Sequence, residues 1–105
     1  MLKWYRNLYT GENAKKNLGE IIGKLNDSIP VRNVYLITYA TSPHNQLDII
    51  NSFYLFQKTV ERRIPEVVGI ACGKTEAFDL IEKIAREAVD ATGKADLKTY
   101  LMEKK

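Results

Sequence analysis

The sequence predicts one small α/β domain, in which a sheet of two or three largely parallel strands is covered by three helices in the order (β)αβαβα. Two short runs, residues 34–40 and 67–71, are nearly continuous in apolar, β-branched or aromatic side chains, which is typical of strands buried on both faces. About 25 residues separate these runs and contain a helical pattern, which is the length of a right-handed crossover between parallel neighbours.

The remaining elements follow from periodicity and from turn residues. Residues 3–9 are rich in aromatics and predict a first strand, which Thr10 and Gly11 end in a turn. A helix is expected from Asn13, and its apolar residues recur at helical spacing: Ala14, Leu18, Ile21, Ile22 and Leu25. Ser42 and Pro43 favour the start of a second helix. Its apolar stripe is Ile49, Phe53, Phe56 and Val60, and it ends near Arg63.

A strongly periodic helix is predicted from Thr75 to Thr92, and Gly93 is placed to cap it. The expected buried stripe of this helix is Phe78, Ile81, Ile84, Ala85 and Ala88. After it, residues 96–101 are expected to form one helical turn that docks Leu97, Tyr100 and Leu101, with a frayed tail at residues 102–105.

Length and composition restrict the class of protein. A chain of 105 residues with 45% hydrophobic and 28% charged residues forms one domain, residues 1–105. The lone cysteine, Cys72, cannot form an internal disulfide, and no apolar run is long enough to span a bilayer, so a cytoplasmic protein without membrane insertion is expected. One histidine and one cysteine cannot build a structural zinc site, and no motif indicates a cofactor or another metal site.

The predicted parallel sheet points to one candidate site, because ligands bind beyond the carboxyl ends of such strands. The first buried run is followed by Ser42 and His44, and the second by Cys72, Gly73, Lys74 and Thr75. If the strands are neighbours, the only histidine lies near the only cysteine, and the thiol could act as a nucleophile. No third residue is present to orient them, so no catalytic residue is assigned. The alternative is that Cys72 is a small core residue and His44 a surface residue.

Phosphate binding is a second interpretation of the same segment. Residues 69–75 are similar to a Walker A loop but are one residue too short, which excludes a nucleoside-triphosphate hydrolase. The backbone amides of residues 73–76, together with Lys74, could still hold a single anion. The simpler alternative is a glycine turn with an exposed lysine.

The N-terminal segment combines positive charge with aromatic rings. Residues 1–26 contain five Lys or Arg and two Glu, a balance of +3. Trp4, Tyr5, Arg6 and Tyr9 are therefore a candidate interaction surface. Rings among cations also suit single-stranded nucleic acid, although the aromatics could equally complete the core.

Three blocks of the chain, residues 3–12, 47–50 and 68–71, resemble those of a small family of uncharacterised bacterial proteins of about 100 residues. The resemblance runs along the whole chain, and the Trp4-Tyr5-Arg6-Asn7 stretch is its most distinctive part. It implies a bacterial, cytoplasmic protein, and it carries over neither an activity nor catalytic residues.

The sequence is therefore interpreted as a non-enzymatic accessory or protein-interaction module. Its expected partner is another protein or a second copy, because so small a sheet leaves strand edges open for pairing. The alternatives are a binder of small anionic ligands or a minor enzyme at the strand-end site, and a weak single-stranded nucleic-acid binder at the N-terminus.

Overall fold

The computed structural model describes residues 2–56 and 64–104. In this part of the chain four strands form one mixed sheet, accompanied by four α-helices and one 3₁₀ helix. The strands are β1 (Trp4–Thr10), β2 (Val34–Tyr39), β3 (Leu47–Asn51) and β4 (Val67–Cys72). The α-helices are α1 (Glu12–Lys15), α2 (Leu18–Asn26), α3 (Lys74–Thr92) and α4 (Leu97–Lys104), and the 3₁₀ helix covers Ser52–Phe56. None of these helices is long and apolar enough to cross a lipid bilayer.

The strand order is β1-β4-β2-β3, which corrects the predicted sheet of two or three largely parallel strands. The two buried runs of the sequence, β2 and β4, are neighbours as expected, but they are antiparallel. Among the described strands, only β1 and β4 pair in parallel, and β3 pairs antiparallel with β2. The α/β class is right, whereas the number of strands, the number of helices and the direction of the central pair are not.

The error arises in the segment between β2 and β4, where the sequence predicts a helix and the structure has β3 followed by the 3₁₀ helix. Ser42 to Asn45 form the turn of a β2–β3 hairpin instead of a helix start, and the Asn45 amide donates to the Ser42 carbonyl at 3.2 Å. Ile49 and Ile50 are β-branched and pair with Ile37 and Leu36 of β2. The predicted continuation through Val60 to Arg63 lies outside the described residues.

The sheet has a packed core on each face. The first cluster lies under α3 and α4 and includes Tyr5, Tyr9, Ile37, Val68, Leu80, Ile84 and Leu101. The second lies under α1 and α2 and includes Leu2, Ala14, Ile21, Leu25, Leu36 and Ile70. Both faces of β2 and β4 are therefore buried, which explains their nearly continuous apolar sequence.

The first strand is confirmed, and its pairing explains the polar residues between its aromatics. Trp4 pairs with Val67 but Tyr9 pairs with Gly69, so the register shifts between these positions. Arg6 and Asn7 fall in this irregular stretch and are exposed. Such an irregularity disrupts the outer edge of β1 and protects it against pairing with another chain.

The helix predicted from Asn13 is divided into α1 and α2, because Asn17 leaves the helical conformation with φ −130°. The apolar stripe of Ala14, Ile21 and Leu25 is nevertheless buried as predicted. The Trp4 indole donates to the Asn26 side chain at 2.8 Å and so connects β1 to the end of α2.

Helix α3 confirms the last long helix of the sequence, and Gly93 caps it in the left-handed conformation with φ 74°. Of the predicted stripe, Ile84 and Ala88 are buried and Ile81 and Ala85 pack against the same core, but Phe78 does not. Ala77, Leu80, Ile84 and Ala88 face the sheet, whereas Phe78 is 59% exposed. The small side chains of Ala77 and Ala88 allow α3 to approach the sheet, and this rotation turns Phe78 to the flank of the helix.

Helix α4 is longer than predicted, because it includes residues 102–104, which were expected to fray. Leu97 and Leu101 are buried, as predicted, and Tyr100 packs against the same cluster. The Tyr5 hydroxyl donates to the Leu101 carbonyl at 2.6 Å. At the end of the helix, the Lys104 ammonium donates to the Tyr9 hydroxyl at 2.8 Å. These contacts hold α4 against β1.

Candidate functional site

The parallel strands β1 and β4 place two turns side by side at their carboxyl ends. A cleft of about 620 Å³ opens there. It is lined by Thr10, Gly11, Glu12, Asn13, Cys72, Gly73, Lys74, Thr75, Glu76, Asp79, Leu80 and Lys83. The location agrees with the general rule for ligands in open α/β sheets. Four of the six predicted site residues, Cys72, Gly73, Lys74 and Thr75, line this cleft.

The other two, Ser42 and His44, lie at the opposite end of the sheet. Cys72 pairs with Val34 at the start of β2, whereas His44 follows the end of that strand. The expected meeting of His44 and Cys72 depended on parallel β2 and β4, and the antiparallel pairing separates them. His44 is exposed in the hairpin turn, where its amide donates to the Ser42 hydroxyl at 3.2 Å. No imidazole is therefore available to activate the thiol.

The side chain that dominates the cleft is Glu76, in the first turn of α3. One carboxylate oxygen accepts from the Cys72 amide at 2.6 Å, and the other accepts from the Asn13 amide at 2.9 Å. Glu76 thus provides the acceptor that the start of α1 needs, since Gly11 at its N-cap has no side chain. The same carboxylate therefore holds the first turn of α1 and the end of β4.

The acidity of Glu76 reflects these bonds. Burial by itself raises the pKa of the carboxyl, but the hydrogen bonds from the amides of Cys72, Asn13 and Ala14 outweigh burial and lower the pKa below its usual value. The chain thus supplies its own anion to these amides. The carboxylate also places a negative charge beside the predicted anion site at residues 73–76, which opposes the binding of a phosphate there.

A pH dependence of stability follows from the lowered pKa of Glu76. The stabilising contribution is complete above the unfolded-state pKa, near 4.5, and is lost as the pH falls through the lower folded-state pKa. We expect the free energy of unfolding to fall less steeply below pH 4.5 in Glu76→Gln than in the unsubstituted protein. Urea unfolding at several pH values between about 3 and 7 measures this difference. If the free energy of unfolding depended on pH in the same way in both proteins, the lowered pKa of Glu76 would be contradicted.

The thiol of Cys72 is also unsuited to nucleophilic attack. Burial raises its pKa, and the negative charge of Glu76 raises it further. We expect iodoacetamide to alkylate Cys72 more slowly at pH 7.5 in the folded protein than in the same protein in urea. Faster alkylation of the folded protein would restore the nucleophile hypothesis.

The remaining residues of the cleft do not form a strongly cationic site. Lys74 and Thr75 are exposed, and the Gly73 amide already donates to the Asn33 carbonyl at 2.7 Å. The cationic Lys74 and Lys83 are accompanied by three acidic residues, Glu12, Glu76 and Asp79. Among the described residues, no group of three His, Cys, Asp or Glu side chains is placed to hold a metal ion.

The aromatic N-terminus also differs from the predicted interaction surface. Tyr5 and Tyr9 are only 2% and 7% exposed and stack on each other in the core with ring centroids 6.5 Å apart. Trp4 is half-buried, and only Arg6 of the four predicted residues is exposed. The two tyrosine rings have no free face on which a base could stack.

One surface feature that the sequence pattern hides is an apolar flank of α3. Phe78 and Val89 are 59% and 45% exposed, and Ile81 and Ala85 beside them are half-buried. We call these four residues the α3 flank. Sequence periodicity places Phe78 in the buried stripe, because positions 78, 81 and 85 have helical spacing whichever side of the helix faces the sheet. Only the packing of α3 on the sheet determines which side of the helix is buried.

A second cleft, of about 440 Å³, lies beside β3 on the other face of the sheet. Its lining includes the edge residues Asp48 and Ile50, together with Tyr54 and Ile64. The last two residues lie close to each end of the segment outside the described residues, so this cleft supports no functional assignment. Comparison with protein-family models, with curated proteins and with solved structures finds no match.

Proposed function

We propose that the protein is a non-enzymatic interaction module of the cytoplasm, and that the α3 flank is its binding surface for another polypeptide. The observation that carries the proposal is the 59% exposure of Phe78 on a helix whose other side is buried against the sheet. Val89, Ala85 and Ile81 continue the apolar surface along the same flank. Contiguous apolar surface, bordered by charged residues, is typical of protein–protein contacts, and large aromatics often dominate their affinity.

Two observations argue against the alternative functions. In the strand-end cleft the Gly73 amide already donates to the Asn33 carbonyl, and the acidic side chains of Glu12, Glu76 and Asp79 oppose an anionic ligand. Base stacking at the N-terminus is opposed by the burial of Tyr5 and Tyr9. The strand edges are also less suitable for binding than the helix, because β1 is irregular and β3 is short and carries Asp48.

Site-specific photo-crosslinking tests this function. The photoreactive analogue benzoylphenylalanine replaces Phe78, and the protein is irradiated in living bacterial cells. We expect an adduct to a polypeptide, which is lost when Val89→Asp is added on the same flank. The matched control places the analogue at Glu20, an exposed position on α2, which lies on the other face of the sheet.

Two outcomes would reject the proposed function. One is the absence of any polypeptide adduct from position 78, and the other is equal adduct formation from positions 78 and 20. The ligand alternatives are examined by thermal unfolding with inorganic phosphate, nucleotides and short single-stranded DNA and RNA. A ligand at a hundredfold excess over its dissociation constant stabilises the folded state by about 2.7 kcal/mol. A shift with phosphate that disappears in Lys74→Ala would favour the cleft instead.

A further inference from the structure

We infer that the partner of the α3 flank is a second copy of this chain, bound with the two α3 helices antiparallel across a two-fold axis. The inference rests on the proposed function and names its partner. In a two-fold interface each patch meets itself, so the patch has to be complementary to itself when reversed. The apolar residues of the α3 flank and the charged residues beside it both meet this condition.

Two charged residues of opposite sign lie beside the α3 flank, one helical turn apart. Glu82 and Arg86 are exposed and form an i,i+4 ion pair between Phe78 and Val89. In an antiparallel pair of helices centred at position 84, Glu82 of one copy faces Arg86 of the other, and the reverse contact forms by symmetry. Glu82 of each copy therefore meets Arg86 of the other.

The same register also matches the apolar residues. Phe78 lies four residues before Glu82, and Val89 lies three residues after Arg86. When the charges are paired, Phe78 of one copy comes opposite Val89 of the other to within one residue. The two ends of the interface are then apolar, and its centre combines Ala85 with the two charge pairs. Antiparallel packing also places the helix dipoles in their favourable relative direction.

The expected dimer is weak. Helix α3 has 19 residues. At about 1.5 Å per residue and about 10 Å in diameter, such a helix offers a contact well below the roughly 800 Å² per partner of a standard interface. We therefore expect a dissociation constant on the order of micromolar or weaker. Association is to be measured with the purified chain of residues 1–105 at concentrations from about 1 to about 500 μM.

A charge-exchange experiment tests the partner and the orientation together. Sedimentation velocity is measured for Glu82→Arg, for Arg86→Glu and for their equimolar mixture. Each variant alone places like charges opposite each other, so we expect its dissociation constant to rise at least about tenfold. In the mixture, the two basic residues of one variant face the two acidic residues of the other, and dimers are expected to form again.

Helix α2 offers a matched control, because Glu20 and Lys24 form a comparable exposed i,i+4 pair there. Glu20→Arg and Lys24→Glu are expected to associate as the unsubstituted protein does. A monomer at every concentration would overturn the inference, and so would two charge variants that do not associate when mixed. If position 78 crosslinks to a different polypeptide in cells while the purified chain stays monomeric, the interaction function stands and self-association fails.

Discussion

Gly11→Ala is expected to destabilise the protein by about 2 kcal/mol, within a range of about 1–3 kcal/mol, because it removes a carboxylate from two backbone amides. A Cβ atom on Gly11 would clash with one carboxylate oxygen of Glu76. The carboxylate is the mobile end of its side chain and would move away. The amides of Asn13 and Cys72 would then lose their acceptor, and α1 would lose its cap. Urea unfolding measures the change.

A double-mutant cycle with Glu76→Ala separates this mechanism from simple backbone strain. Gly11 has φ −67° and ψ 156°, a conformation that alanine adopts freely. Once Glu76 is truncated, Gly11→Ala should be neutral or slightly stabilising, since it restricts the unfolded chain. Additive losses of stability in the cycle would show that the two residues do not act through one contact.

This contact also shows why the site was only partly predictable. The sequence identifies the segment of residues 72–75 as the end of a strand followed by a helix, and both elements are present. Glu76 in the first helical turn resembles an ordinary solvated acid. Its role depends on α1, which β1 places beside β4 through pairing across more than sixty residues of sequence. Local patterns do not contain such pairings.

The misassigned segment at residues 47–53 has a different cause. Ile49 and Phe53 are four residues apart. This spacing is close to one helical turn of about 3.6 residues, and it also equals two of the two-residue periods of a strand. The helical interpretation fitted both residues, and the length of the segment supported a crossover. The polar Asp48 between the apolar Leu47 and Ile49 gives an alternation that favours a strand. This alternation covers too few residues to distinguish a strand from a helix. Reversal of the chain by β3 then made β2 and β4 antiparallel and separated His44 from Cys72.

Helix α3 illustrates a third reason why the sequence predicts the structure only in part. Its existence and its glycine cap followed from the sequence, but its rotation about its own axis did not. Apolar residues cover more than half of the helix circumference, so periodicity alone allows more than one buried face. The sheet selects the face with Ala77 and Ala88 at its ends, and Phe78 is left exposed. The surface on which the proposed function rests is therefore a consequence of packing.

The largest loss of stability is expected for Leu101→Ala, at about 2–5 kcal/mol. Leu101 is fully buried, and it packs in the same cluster as Tyr5, Tyr9 and Ile84. Truncation would leave a cavity between α4 and the sheet, and it would weaken the position of the carbonyl that accepts from the Tyr5 hydroxyl. The C-terminal helix would then be an essential part of the core.

The neighbouring residue provides the control. Met102 is 49% exposed, so Met102→Ala is expected to change the free energy of unfolding by less than about 0.5 kcal/mol. Both variants replace a large apolar side chain with alanine one position apart, and they differ chiefly in burial. Equal and small effects would mean that α4 does not dock on the sheet in solution. A large loss for Leu101→Ala alone would place the C-terminal helix in the cooperative unit that unfolds with β1.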